Sequence, residues 1–267
     1  MYYQTDTSSY WYEVHGEGIP VVLLHGFTGS TATWQHFIEQ QDKKLQIITI
    51  DLPGHGRTKT KEAVTMEICC RDLAQLFRLL QLETLHLLGY SMGGRTALSF
   101  AILYPEMIET LILESASPGL MTAEERKMRV KKDELLAQKI EQDGLVSFIN
   151  FWQDIPLFQT QKALPIHVQQ MIRTERLSQT EQGLADSLRF MGTGKQPSWW
   201  KKLNTFKQPV LLMAGSLDSK FVAVNQKMKN SMELSELVIV ENAGHAIHIE
   251  KPAIFGTLVS EYIISKQ

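Results

Sequence analysis

Residues 85–95 read Leu85-His-Leu-Leu-Gly-Tyr-Ser91-Met-Gly-Gly-Arg95, an apolar run that passes into Gly-x-Ser-x-Gly. The run predicts a buried strand, and the segment from Gly94 to Tyr104 predicts a helix. A serine at such a junction sits on a tight, strained turn with its hydroxyl in open space. Gly89 and Gly93 leave room where a Cβ would meet neighbouring backbone. Three fixed positions of this composition arise by chance in about one chain in ten of this length. The motif therefore carries weight only through its surroundings and through partners far downstream.

Working outward, short apolar runs recur at Val21–Leu24, Ile47–Ile50, Thr110–Leu113, Val210–Met213 and Leu237–Val240. They are rich in Val, Ile and Leu with little alternation, as expected of strands covered on both faces. Helical patterns separate them. In Met66–Leu82, Cys69, Leu73, Leu76, Phe77 and Leu80 recur at helical spacing. The alternation predicts an α/β fold with a mostly parallel twisted sheet and helices on both faces. Aromatic segments near Tyr2 and Tyr10–Val14 add a small antiparallel edge. Between about Gly119 and Leu203 the strands stop, charge rises and helices dominate. Thr122-Ala-Glu-Glu125 has capping-box spacing and starts a helix near residue 122, with Gly144 as its stop. The expected organisation is an α/β core over 1–118 and 204–267, interrupted by a helical cap over 119–203. The cap would sit above the C-terminal edge of the sheet, where open α/β folds bind ligands.

With 267 residues, 43% of them hydrophobic, the chain can bury a sizeable core. Its net charge of −2 comes from intermixed acids and bases, which argues against a nucleic-acid partner. No apolar run approaches the ~20 residues of a membrane span. The N-terminus lacks the basic and apolar regions of a signal peptide, so a cytoplasmic location is the simplest expectation. Adjacent Cys69 and Cys70 suit neither a disulfide nor a zinc site and read as small core residues. No metal or organic cofactor is called for.

Three segments combine with the serine turn. Leu24-His25-Gly26-Phe27 follows the first strong strand and offers backbone N–H to an oxyanion. Gly215-Ser-Leu-Asp218 follows another strand and sets an acid at its end. Ala243-Gly244-His245 follows the last. The order Ser91, Asp218, His245 is that of the α/β-hydrolases. His245 exchanges a proton near neutral pH, Asp218 fixes its tautomer, and Ser91 becomes reactive only with that base beside it. The backbone N–H groups of Phe27 and Met92 would stabilise an oxyanion, each worth ~3 kcal/mol. Asp218 also has the makings of a helix N-cap. His25 and His55 read as organisers of backbone, and His248 as a weaker competitor for the base.

The chain thus resembles the α/β-hydrolase superfamily over nearly its whole length. Leu24–Gly29, Asp51-Leu-Pro-Gly-His-Gly56, Gly89–Arg95, Glu114-Ser-Ala-Ser-Pro-Gly119 and Asp218-Ser-Lys-Phe221 together narrow the resemblance. They look like the 2-succinyl-6-hydroxy-2,4-cyclohexadiene-1-carboxylate synthases of menaquinone biosynthesis. The resemblance implies a lyase that eliminates pyruvate from an enolpyruvyl cyclohexene bearing three carboxylates. It implies Arg95, Arg129 and Arg176 as carboxylate-binding residues, with Trp152 and Tyr90 lining the pocket. Arg is suited to this because its planar fork holds a carboxylate bidentately. The residues also have plainer readings. Arg129 is placed to pair with Asp133 one turn away, Arg176 with Glu175, and Trp152 to pack in a core. Arg126 and Arg173 stand as alternatives for the two cap arginines. The small-molecule substrate needs no partner chain, and a monomer or weak oligomer is expected. The rival readings are a carboxylesterase or C–C bond hydrolase on the same fold, and a non-catalytic ligand receptor.

Overall fold

The computed structural model describes residues 1–41 and 44–266. Its strands are β1 (Tyr2–Gln4), β2 (Ser8–His15), β3 (Ile19–Leu24), β4 (Leu45–Ile50), β5 (Lys59–Thr60), β6 (Leu85–Tyr90), β7 (Ile108–Glu114), β8 (Val210–Gly215) and β9 (Ser235–Val240). They form one sheet in the order β1-β2-β4-β3-β6-β7-β8-β9, with β5 beside β2. From β4 to β9 every neighbouring pair is parallel. β2 is antiparallel to β1, β4 and β5, which is the expected antiparallel edge.

The helices are α1 (Gln35–Gln40), α2 (Met66–Leu79), α3 (Met92–Leu103), α4 (Ala123–Trp152), α5 (Ile166–Leu177), α6 (Glu181–Met191), α7 (Ser219–Ser231), α8 (Ile247–Glu250) and α9 (Pro252–Ile264). Side chains alternate between two buried faces. On β3, Val22 and Leu24 point into a core shared with α2, α3 and Met228 of α7. Val21 and Leu23 point into another, with Trp34, Phe37 of α1, and Phe255 and Val259 of α9. This two-sided burial explains why the strands read as unbroken apolar runs.

Local detail departs from expectation at three places. β6, β7 and β8 each extend past the predicted run, to Tyr90, Glu114 and Gly215. The helix after the serine begins at Met92, not Gly94. Gly94 and Gly93 are poor helix formers by propensity, but close packing with the sheet selects them. A Cβ at Gly93 would lie 2.0 Å from the carbonyl oxygen of Leu24, and one at Gly89 would lie 2.3 Å from that of Gly93. Gly144 bends a helix that continues to Trp152, its φ of 80° and ψ of 163° breaking the helical run. The predicted start does form: Thr122 caps α4 in a capping box with Glu125.

The chain leaves the sheet after β7 and returns at β8. Between them, α4, α5 and α6 build a small core of their own from Ala137, Ile140, Phe148, Ile149, Leu184, Ala185 and Leu188. Phe27 and Trp152 pack against it, so the helical layer rests on the loop after β3. No described helix is long and apolar enough to cross a membrane. Both cysteines are buried and free.

Because backbone, not a pliable side chain, faces Gly93, Gly93→Ala is expected to destabilise the protein by about 3 kcal/mol. Urea denaturation followed by circular dichroism measures it; a loss below about 0.5 kcal/mol would show that α3 shifts freely against β3.

Candidate active site

Parallel strands present their C-terminal ends on one edge, and four loops from that edge converge. Phe27 follows β3, Ser91 follows β6, Asp218 follows β8 and His245 follows β9. Ser91 occupies the strained turn, with φ 52° and ψ −105°. Its N–H donates to Glu114 O at 2.9 Å and its carbonyl accepts the N–H of Arg95 at 3.0 Å. Ser91 Oγ lies 2.9 Å from His245 Nε2. His245 Nδ1 lies 2.6 Å from Asp218 Oδ2. With the carboxylate accepting from Nδ1–H, Nε2 is left free to take the serine proton. Asp218 fills its plainer role as well: it is the N-cap of α7, with Oδ1 accepting Phe221 N–H at 3.3 Å. One carboxylate therefore starts a helix and orients the imidazole.

The other histidines serve elsewhere. His25 donates from Nδ1 to Gly26 O at 2.7 Å and accepts Leu52 N–H at Nε2 at 3.0 Å, tying the loop after β3 to the loop after β4. His55 donates to Pro53 O at 3.1 Å. His248 is clamped by Glu114, whose two oxygens lie 2.9 and 2.8 Å from its Nδ1.

A chamber of about 120 Å³ opens over Ser91. Phe27, Tyr90, Met92, Arg95, Arg129, Trp152 and His245 all line it. Arg95 donates to Met191 O at 3.0 Å and Gln196 Oε1 at 3.4 Å, both neutral acceptors. Burial and the nearby charge of Arg129 pull its guanidinium down to about 10, still cationic at neutral pH. Arg129 combines its two readings. Its Nε pairs with Asp133 Oδ1 at 2.6 Å, while the residue lines the chamber. Arg126 turns instead to the carbonyls of Leu120 and Met121. Trp152 stacks on Phe148 and meets Phe27 edge-on. Its buried Nε1 has no hydrogen-bond partner among the described residues.

Arg176 lies apart from these. It is buried, donates to Gln161 Oε1 at 3.1 Å and sits over the ring of Phe158 at 4.6 Å. With Arg173 it lines a second cavity of about 390 Å³. Phe158 borders both cavities. Glu175, the plainer partner for Arg176, goes elsewhere, accepting from Ser30 and Thr33.

Sequence reasoning missed Lys220, Phe221, Leu157, Phe158, Ser187, Leu188, Gly192 and Thr193, which complete the serine chamber. Lys220 and Phe221 had a signal: they follow Asp218 on the first turn of α7. Ser187 and Leu188 lie three and four residues beyond Leu184 on one face of α6. Among the described residues, no cluster of three or more His, Cys, Asp or Glu side chains is placed to hold a metal ion.

Comparison with known proteins follows this geometry. A family model described as alpha/beta hydrolase fold matches residues 19–252. A protein of Bacillus subtilis (strain 168) is 44% identical over 250 residues, spanning 92% of this chain and 90% of that one. Its name assigns it, provisionally, to 2-succinyl-6-hydroxy-2,4-cyclohexadiene-1-carboxylate synthase. The protein of that name from Serratia proteamaculans (strain 568) is 26% identical, over 92% of this chain and 93% of its own. The solved structure of MenH from S. aureus superposes with a TM-score of 0.92 at 35% identity, covering 98% of this chain and 100% of that one. A malate-bound esterase from Thermogutta terrifontis superposes with a TM-score of 0.86 at 25% identity, covering 100% and 99%.

Burial beneath the loop after β4, and then the neighbouring His25, hold the His55 imidazole at about 3. The unfolded value is about 6.5, so stability is complete above that pH and falls by up to about 1.4 kcal/mol per pH unit as the solution is acidified toward 3. Urea midpoints from pH 7.5 to 4.5 should fall less steeply in His55→Asn than in the wild type. Parallel slopes would show that His55 does not contribute.

Proposed function

This chain belongs to the α/β-hydrolase family and, within it, to the 2-succinyl-6-hydroxy-2,4-cyclohexadiene-1-carboxylate synthases, and we propose how its residues carry out that family's lyase reaction. The substrate is 2-succinyl-5-enolpyruvyl-6-hydroxy-3-cyclohexene-1-carboxylate, and the reaction eliminates pyruvate, a step of menaquinone biosynthesis. Ser91 Oγ passes its proton to His245 Nε2 and removes the ring proton beside the succinyl ketone. Asp218 stabilises the imidazolium that results. The ketone oxygen becomes an enolate oxygen held by the N–H groups of Phe27 and Met92. The electron pair returns through the ring double bond, which shifts, and the C–O bond to the enolpyruvyl group breaks. The departing enolate takes up a proton and becomes pyruvate. Ser91 acts as a base throughout, and no acyl-enzyme forms.

The observation that carries this reading is the charge around the serine. Arg95 hydrogen-bonds only neutral acceptors among the described residues, and it lines the same chamber as Arg129 and His245. Asp133 acts on Arg95 only through space and is bonded to Arg129, and a desolvated guanidinium without a bonded carboxylate is costly unless an anionic ligand completes it. A small ester has no such anion to offer; a tricarboxylate has three. The serine chamber, at about 120 Å³, is smaller than the roughly 300–1,000 Å³ of sites for drug-sized ligands. The adjoining cavity adds about 390 Å³. The substrate therefore spans both, with Phe158 displaced and one carboxylate beside Arg176. Arg95 and Arg129 hold the carboxylates nearer the reacting centre.

Two outcomes are expected. Ser91→Ala should lower pyruvate release by about 10³-fold or more while substrate affinity, measured by calorimetry, stays within a few-fold. Turnover near that of the wild type would remove Ser91 as the base. Arg95→Ala should lower kcat/KM for the tricarboxylate by about 10²-fold or more, against less than about threefold for a small neutral p-nitrophenyl ester. Equal losses on both would favour the esterase reading.

A further inference from the structure

The loop that carries His245 is bracketed by one carboxylate. Glu250, at the end of α8, accepts the N–H of Gly244 through Oε2 at 2.7 Å and that of Ala246 through Oε1 at 3.4 Å. These are the N–H groups of the residues on either side of His245. The N–H of Glu250 itself donates to Ala246 O at 2.9 Å, closing the turn. Oε1 has one more partner, the hydroxyl of Thr160 at 3.0 Å. Thr160 does not belong to the sheet. It lies on the 3-10 turn Pro156–Ala163, within the helical layer between β7 and β8.

That turn reaches the site from several sides. Leu157 and Phe158 line the serine chamber, the Phe158 ring meets His245 edge-on at 6.1 Å, and Gln161 holds Arg176. Contact with the histidine loop is close. A Cβ at Gly244 would lie 2.2 Å from Thr160 Oγ1 and 3.0 Å from Glu250 Oε1. Only glycine lets Thr160 approach this near.

We propose that Glu250 is a positioning residue for His245 and that the Thr160 hydroxyl couples it to the helical cap. Glu250 does not line the serine chamber, and it acts by fixing the N–H groups of the two residues that flank His245. Thr160 holds one of its oxygens in place. A cap seated on the loop thus completes the bracket, and a cap lifted away leaves Glu250 one bond short and the imidazole less constrained. A carboxylate held at Arg176 would favour the seated state through Gln161, three residues from Phe158 and one from Thr160. This last link rests on the tricarboxylate reading; the bracket itself does not.

The test uses the full-length enzyme with Thr160→Val, Thr160→Ser, Glu250→Gln and the Val/Gln double variant. Two rates are measured: pyruvate release, and labelling of Ser91 by a fluorophosphonate, which needs a competent Ser–His pair but not the natural substrate. Val keeps the shape of Thr and loses the hydroxyl, whereas Ser keeps the hydroxyl. Thr160→Val is expected to lose about three- to tenfold in kcat and in labelling rate, the size of one hydrogen bond, with KM within about twofold. Thr160→Ser should restore both. Glu250→Gln should lose about ten- to a hundredfold, and the double variant should be no slower than Glu250→Gln, because Thr160 acts through Glu250. Wild-type rates in Thr160→Val, a Ser variant as slow as the Val variant, or losses that multiply in the double variant would each overturn the coupling. If the wild type releases no pyruvate but labelling follows the stated pattern, the substrate assignment fails and the bracket stands.

Discussion

At Ser91 the backbone is held at φ 52° and ψ −105°, a conformation that costs a non-glycine residue about 1–3 kcal/mol. Its neighbours leave it no other. Both of its peptide groups are bonded, to Glu114 and Arg95. The helix that follows is pressed so closely onto β3 that position 93 admits no side chain. The hydroxyl is thereby lifted out of the sheet, toward the imidazole, at the first turn of α3. The remaining parts of the site are organised around this point. The loop after β3 brings Phe27, that after β8 Asp218 and that after β9 His245, and the helical layer closes over them.

The triad by itself does not set the reaction. A serine, histidine and aspartate in this order serve hydrolysis on many chains of the same fold, so fold and triad leave the chemistry open. What narrows it is charge. The walls above Ser91 carry guanidinium groups that the protein only partly neutralises: Arg129 has Asp133, whereas Arg95 has amide and carbonyl oxygens. In the proposed reading a substrate carboxylate supplies the bonded anion that Arg95 lacks, and a desolvated charge left without such a partner costs about 2–5 kcal/mol. In that reading the serine meets a substrate whose carboxylates are already fixed, with the proton beside the ketone set against Oγ.

Much of this was legible in the chain. The inner parallel strands announce themselves because both faces are largely buried, so little polarity interrupts them, and the half-exposed edge strand β9 is read from its Leu237–Val240 run alone. Ser91, Asp218 and His245 stand out because each follows such a run at a turn. The helix start after Ser91 was harder, since Gly93 and Gly94 are chosen for close packing against propensity. Gly144 reads as a stop but acts as a bend, because Leu145 N–H finds Glu181 Oε1 and the chain resumes its helix. The helical layer was least legible. Its arginines are spaced to face either of two cavities, and which one each meets depends on how α5 packs beside the Pro156–Ala163 turn. Arg176 points toward Phe158 and not the serine chamber for that reason. The bracket formed by Thr160 and Glu250 joins residues 90 positions apart, and no local pattern marks it.

The most direct test is to supply the enolpyruvyl tricarboxylate with deuterium at the ring carbon beside the succinyl ketone and to follow pyruvate with a coupled dehydrogenase. Proton removal by Ser91 predicts one pyruvate per substrate consumed and a slower rate in single turnover for the deuterated compound. Consumption of the substrate without pyruvate, or pyruvate release at the same rate from both isotopologues with chemistry shown to be rate-limiting, would contradict the account.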